Sequence, residues 1–205
     1  MSYLPGIDIY EDVLQLGDRV IRSTTLLSKL EAKTDRKIVL SAVDGVVDLV
    51  LTIYASLCLS MRSSVMKKIS VNGVKYPMEK VQCEIADDGR SIKKHGFGSA
   101  YSLLPTEEEL SQWTKQSSRE VFDEMDDGTS EDLQIRIDTF SRLRGWTYSP
   151  RGLVLSLRSE YGEVCGCLEY VDLEMELHPK VKSKLAMELA DLFIYCVHTR
   201  RVVLD

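Results

Sequence analysis

Two stretches decide the fold: LVLSLRSEYGEVCGCL at 153–168 and LAMELADLFIYCVHTRRVV at 185–203. In the first, Leu153, Leu157, Tyr161, Val164 and Leu168 recur at the spacing that lines one side of an α-helix. Glu160 falls at the edge of that stripe and Glu163 one turn further on. In the second, Leu185, Leu189, Leu192 and Val197 form the apolar face, with Glu188 and Asp191 interleaved three residues apart. Each stretch therefore reads as an amphipathic helix that carries two carboxylates beside residues destined for a core.

Outward from these, helical spacing predicts further helices at 10–30, 36–68, 106–125 and 130–143, with the two quoted helices extending over 150–170 and 179–203. The helix at 106–125 opens with Thr106 and Glu109, a pair spaced to cap the free N–H groups of a first turn. Strand-like alternation is brief, at 80–85. Residues 87–99 are rich in Gly and charge and read as a surface loop, and 126–130 form an acidic break. The predicted fold class is all-α, a helical bundle interrupted by a Gly-rich insertion that holds the strand-like segment.

Composition narrows the functions. The 205 residues are 44% hydrophobic and 28% charged, enough to bury a core. The formal net charge of −6 opposes the backbone attraction on which non-specific nucleic-acid binding rests, so no polymeric nucleic acid is expected as a partner. The first residues, MSYLPGIDIYEDV, lack a basic segment followed by an apolar one, which predicts no export. The most apolar run, 43–59, carries Asp44 and Asp48 and is short for a membrane span, so it reads as a buried helix. Five cysteines without an exported context predict reduced thiols and an intracellular, cytoplasmic location, and Cys165 and Cys167 read as small buried residues. His95, His178 and His198 have no spacing suited to a metal and read as surface or helix-end residues.

Four acids gathered beside apolar surface repel one another and lose hydration, which is tolerable only when they are protonated, paired or bound to a cation. Oxygen-only ligands suit Mg²⁺. The same acids on the solvated side of two helices would need no ion, and spacing alone leaves both readings open.

The context of the acids separates them. A Trp, a Pro-Arg, an apolar helix with ExxE, an aromatic after it, and a helix with ExxD running into Ile-Tyr occur in that order as Trp146, Pro150-Arg151, Glu160 and Glu163, Tyr170, Glu188 and Asp191, and Ile194-Tyr195. Over 133–205 this resembles the dCTP pyrophosphatase branch of the MazG-like all-α nucleoside triphosphate pyrophosphatases. The resemblance implies hydrolysis between the α and β phosphates of a pyrimidine deoxynucleoside triphosphate, dCTP first and dUTP second. Glu160, Glu163, Glu188 and Asp191 would be the metal-binding and catalytic acids, with Mg²⁺ as the cofactor. Trp146 and Tyr170 would line the base pocket, Tyr195 the sugar side, and Arg151 would join them in substrate binding. The sequence departs from the family where a His usually follows the Trp, and where Tyr170 stands in place of a Trp.

The family pattern continues into K-x-x-x-N-x-x-x-Y-P, which here occurs at Lys68, Asn72, Tyr76 and Pro77, after the N-terminal apolar helix. That placement points to an internal repeat. Pro5 precedes Gln15 by the interval that separates Pro150 from Glu160, and Gln15-Leu16-Gly17-Asp18 aligns with Glu160-Tyr161-Gly162-Glu163. VVDLVLTIY aligns with LADLFIYCV, setting Asp48 against Asp191 and either Asp44 or Gly45 against Glu188. The expected organisation is thus a degenerate MazG-like unit at 1–80, a connecting insertion at 81–129 and a MazG-like catalytic unit at 130–205. The two units would pack as family protomers do, Lys68, Asn72 and Tyr76 would join the substrate site, and the fused chain would form a homodimer. The alternative from another class is a catalytically inactive helical module that binds a nucleotide or a protein.

Overall fold

The computed structural model describes residues 5–30, 35–76, 83–85, 91–93, 130–144, 146–169 and 177–205. They form six helices, α1 (Pro5–Leu27), α2 (Arg36–Ser56), α3 (Met61–Lys75), α4 (Ser130–Leu143), α5 (Pro150–Leu168) and α6 (Pro179–Leu204). Two short strands, β1 (Cys83–Ile85) and β2 (Ser91–Lys93), pair antiparallel with Glu84 opposite Ile92. Among the described residues the fold is all-α apart from this hairpin. β1 coincides with the strand-like alternation, whereas β2 lies inside the stretch expected to be loop. The helix expected at 106–125 and the break at 126–129 lie outside the described residues, as do His95 and Tyr170.

The chain divides into two compact units, one made of Met1–Val65 with Tyr148–Asp205, the other of Met66–Thr147. The first contains the bundle. There α1 packs on α2 and α5 on α6, while α1 also meets α5 and α2 meets α6. The register of α2 on α6 is antiparallel: Arg36 Nη1 donates to the Leu204 carbonyl at 3.3 Å, Asp44 pairs with Arg200 at 3.1 Å, and the Tyr54 hydroxyl donates to the Ala186 carbonyl. On the other side, the Tyr161 hydroxyl of α5 donates to the Val13 carbonyl of α1 at 3.2 Å. The core between the four helices is filled by Leu16 and Val20 from α1, Val43, Val46 and Val50 from α2, Leu153 and Leu157 from α5, and Leu185, Leu189 and Leu192 from α6. Burying each such side chain contributes about 1.5–3 kcal/mol before chain entropy is set against it.

Gly17 lets α1 and α5 approach. A Cβ at this position would stand 2.2 Å from the Tyr161 hydroxyl oxygen, so the aromatic ring occupies space that any other residue on α1 would fill.

Local chemistry sets the helix starts. Asp35 accepts the Lys37 N–H, Ser149 accepts the Gly152 N–H with Pro150 in the first turn, and His178 accepts the Lys180 N–H with Pro179 following. His178 is therefore a helix-end residue, as expected. His198 is not: it is 2% exposed, in the core.

The single helix expected over 36–68 is broken. At the end of α2 the Cys58 N–H bonds to Ala55 O and the Leu59 N–H to Tyr54 O, both at 3.0 Å, with Cys58 in the left-handed region at φ 54°. This is a Schellman stop built on a non-glycine residue. Ser60 then accepts the Ser63 N–H at 3.2 Å and starts α3. By length and composition α2 is long and apolar enough to cross a membrane. One face of it, Val39, Val43, Val46, Val50, Ile53 and Tyr54, is buried in the bundle, whereas Ile38 and Leu51 are exposed, so the apolar run expected to be a buried helix is buried in part.

In the second unit α4 buries Leu133 and Ile137. Arg144 Nε donates to the Tyr76 carbonyl at 2.8 Å, and its guanidinium lies 3.6 Å from the Phe140 ring centre. These contacts fix the aromatic group of Tyr76, Phe140 and Trp146.

Candidate functional site

The carboxylates of Glu160 on α5 and of Glu188 and Asp191 on α6 converge, with one oxygen of each lying within 4.8 Å of the others. None of the three is exposed. Their convergence follows from the helix geometry. Glu160 sits next to the stripe that packs α5 onto α6, and Glu188 and Asp191 are one turn apart on the facing helix. Three carboxylates at this separation cost Coulomb energy, and a shared divalent cation relieves that cost. The three residues could together hold one hard cation through oxygen ligands alone.

Glu163 lies elsewhere on α5. It is exposed, and with Glu188 it acts on the thiol of Cys167, whose ionisation is pushed up chiefly by burial. Stepping from Glu160 to Glu163 rotates the side chain by about 60° away from the apolar stripe.

Around the three acids stand hydroxyl groups. Tyr195, one turn beyond Asp191, shares a side-chain hydrogen bond with Ser156. Its phenol is held far above its ordinary range, first by burial, then by the neighbouring Tyr148, Glu160 and Asp191. Tyr54 of α2 is shifted the same way by burial and, more weakly, by Asp191, with Ser64 hydrogen-bonded to its oxygen. Both phenols thus remain neutral at any ordinary pH, with the Tyr54 hydroxyl donating to the Ala186 carbonyl. Tyr148 lies edge-on to Tyr195 at 6.2 Å between centroids and stacks on buried His198 at 4.2 Å.

Of the residues expected to bind substrate, Tyr195 is at the acids. Arg151 is exposed in the first turn of α5. Lys68, Asn72, Tyr76 and Trp146 belong to the second unit, where Tyr76 and Trp146 meet edge to face at 5.4 Å and Phe140 meets Trp146 at 5.8 Å. Tyr54, Ser64, Tyr148, Ser156 and His198 were not anticipated. For Ser156 the signal was available, since it precedes Glu160 by four residues and so shares its helix face. For Tyr54, which comes from a distant helix, no local signal exists.

No family model, curated protein or solved structure matches this chain. The chemistry must therefore be argued from the site itself.

Proposed function

We propose that the chain is a Mg²⁺-dependent nucleoside triphosphate pyrophosphohydrolase that cleaves a pyrimidine deoxynucleoside triphosphate, dCTP first and dUTP second, to the monophosphate and pyrophosphate. The observation that carries this reading is the convergence of Glu160, Glu188 and Asp191 from two antiparallel helices. It brings together three of the four acids that the family resemblance names.

The donor set fits the ion. Carboxylate oxygens alone suit a hard cation that retains water and takes the rest of its shell from phosphates. Glu160, Glu188 and Asp191 would hold Mg²⁺, and when bound it would supply the positive charge that neutralises the triphosphate. The residues of the chain do the rest. Tyr195, hydrogen-bonded to Ser156, and Tyr54, which donates to the Ala186 carbonyl, would wall the edge of the acid group as neutral phenols. Glu163, exposed one turn along α5, would orient or deprotonate the attacking water from the solvent side.

The arrangement of two antiparallel hairpins, α1 with α2 and α5 with α6, supports the fusion of two related units, with the acids on the second. Exposed Leu14 and Ile21 on α1 and Leu155 on α5 support self-association into a homodimer, and free thiols at Cys58, Cys165, Cys167 and Cys196 support a reducing, cytoplasmic setting.

The test is pyrophosphate release from a panel of deoxynucleoside and ribonucleoside triphosphates with Mg²⁺. Turnover highest for dCTP is the expected result. No turnover of any of them, with intact folding, would leave the second reading, a helical module that binds without catalysis.

A further inference from the structure

The α1/α2 hairpin carries a concavity of opposite character to the acid group. It encloses about 260 Å³ and is lined by Arg19, Arg22, Lys37, Ile38, Ser41 and Ala42. Three cations around one hollow are against the grain of a chain whose formal net charge is −6. Among the described residues, none of the three is in an ion pair. Of the acids near them, Asp35 accepts the Lys37 N–H at 2.9 Å and Asp44 pairs with Arg200 at 3.1 Å, while Asp18 is exposed beside Arg19.

Arg19 is held in place by the shape of α2. A Cβ on Gly45 would stand 3.1 Å from Arg19 Nη1 and 3.7 Å from its Cδ, so the arginine stem and head lie flat on the helix at the one position without a side chain. The hollow also faces the first two turns of α2, from which Lys37, Ile38, Ser41 and Ala42 come, and where the helix dipole adds positive potential. An anion seated in the hollow would be attracted to all three cations at once.

We propose that this hollow is a binding site for a pyrophosphoryl group, used without a metal ion and separate from the acid group. Two guanidinium forks and an ammonium match an anion of two linked phosphates, and Ser41 adds a hydroxyl donor. The volume is below that of pockets which enclose drug-sized ligands, and the lining contains no aromatic ring to stack on a base. The site therefore grips the phosphates, whether these come as free pyrophosphate or as the tail of a nucleoside diphosphate.

The experiment is isothermal titration calorimetry on the full chain in EDTA at fixed ionic strength, with inorganic pyrophosphate, CDP and sulfate as separate titrants. Saturable one-to-one binding of pyrophosphate is expected, with sulfate weaker by tenfold or more. Arg19→Gln/Arg22→Gln should weaken pyrophosphate by at least about tenfold and Lys37→Gln by roughly three- to tenfold, with melting curves unchanged because all three side chains are exposed. CDP binding as tightly as pyrophosphate assigns the site to the shared phosphates of either source, and CDP binding tenfold more tightly assigns it to the nucleotide. Glu188→Gln should bind pyrophosphate as the wild type does, whatever it does to turnover. Absence of saturable binding, sulfate binding equal to pyrophosphate, or affinity that survives Arg19→Gln/Arg22→Gln overturns the proposal. So would a loss confined to Glu188→Gln, which would move the anion to the acid group.

Discussion

The two hairpins of the bundle are built alike and charged differently. Each pairs two long antiparallel helices, each buries an aliphatic stripe, and each carries acids near the middle of its second helix. In the α5/α6 hairpin Glu160, Glu188 and Asp191 converge. In the α1/α2 hairpin the aligned positions hold Gln15, Asp18, Asp44 or Gly45, and Asp48. There Asp44 is taken by Arg200, Arg19 lies over Gly45, and Gln15, Asp18 and Asp48 are exposed. Two hairpins can thus pack alike while the polar residues beside their stripes differ, because the core depends on the stripe and the chemistry on the residues next to it.

The largest effect that separates the hairpins is expected from their acids. On the proposed function, Glu160→Gln, Glu188→Gln or Asp191→Asn should lower pyrophosphate release by about a hundredfold or more, since each removes a carboxylate from a group of three. Thermal melting in EDTA should be unchanged or raised in these variants, because a charge leaves a repulsive cluster. Near-normal turnover in any of them would remove the acid group from the chemistry.

Next in size are truncations of the shared core. Leu16→Ala in α1 and Leu157→Ala in α5, both essentially inaccessible, should each cost about 2–5 kcal/mol in urea unfolding. A single cooperative transition in both variants is expected if the four helices share one core. A variant that unfolds only half of the helical signal would show the hairpins to be independent.

A smaller, sign-changing effect is expected at Gly17. Gly17→Ala should destabilise by roughly 1–3 kcal/mol, because the new Cβ displaces Tyr161 and breaks its bond to the Val13 carbonyl. In a Tyr161→Ala background the same substitution should stabilise by up to about 1 kcal/mol, leaving only the helix preference of Ala over Gly. Denaturant midpoints for the four proteins of this cycle check it, and equal effects in both backgrounds would show that the Gly17–Tyr161 contact carries no constraint.

The smallest effect concerns the first hairpin's remaining acids. Asp18→Asn and Asp48→Asn should change turnover by less than about twofold, as exposed substitutions away from a site do. Losses matching that of Glu160→Gln would show that the first hairpin retains a working site.

The apolar stripes made the four bundle helices and the acid pairs legible in the sequence, because period and burial are both local. The break at Cys58 was not legible, since the stop uses a non-glycine residue in a conformation that glycine normally marks. The burial of His198 depends on Tyr148, 50 residues away, stacking on it. Tyr54 reaches Ala186 and the neighbourhood of Asp191 only because α2 and α6 are adjacent, a fact of topology rather than of any local pattern. Glu163 shares a motif with Glu160, but the helical rotation between them points it to solvent.

The central proposed difference between the hairpins is that α5/α6 holds a divalent cation and α1/α2 does not. Mn²⁺ titration of the full chain followed by electron paramagnetic resonance tests it most directly, without requiring that the substrate be known. One saturable Mn²⁺ per chain is expected, displaced by Mg²⁺, abolished by Glu188→Gln and preserved in Asp48→Asn. Mn²⁺ binding that survives Glu188→Gln but is lost in Asp48→Asn, or no saturable binding in the wild type, would contradict it.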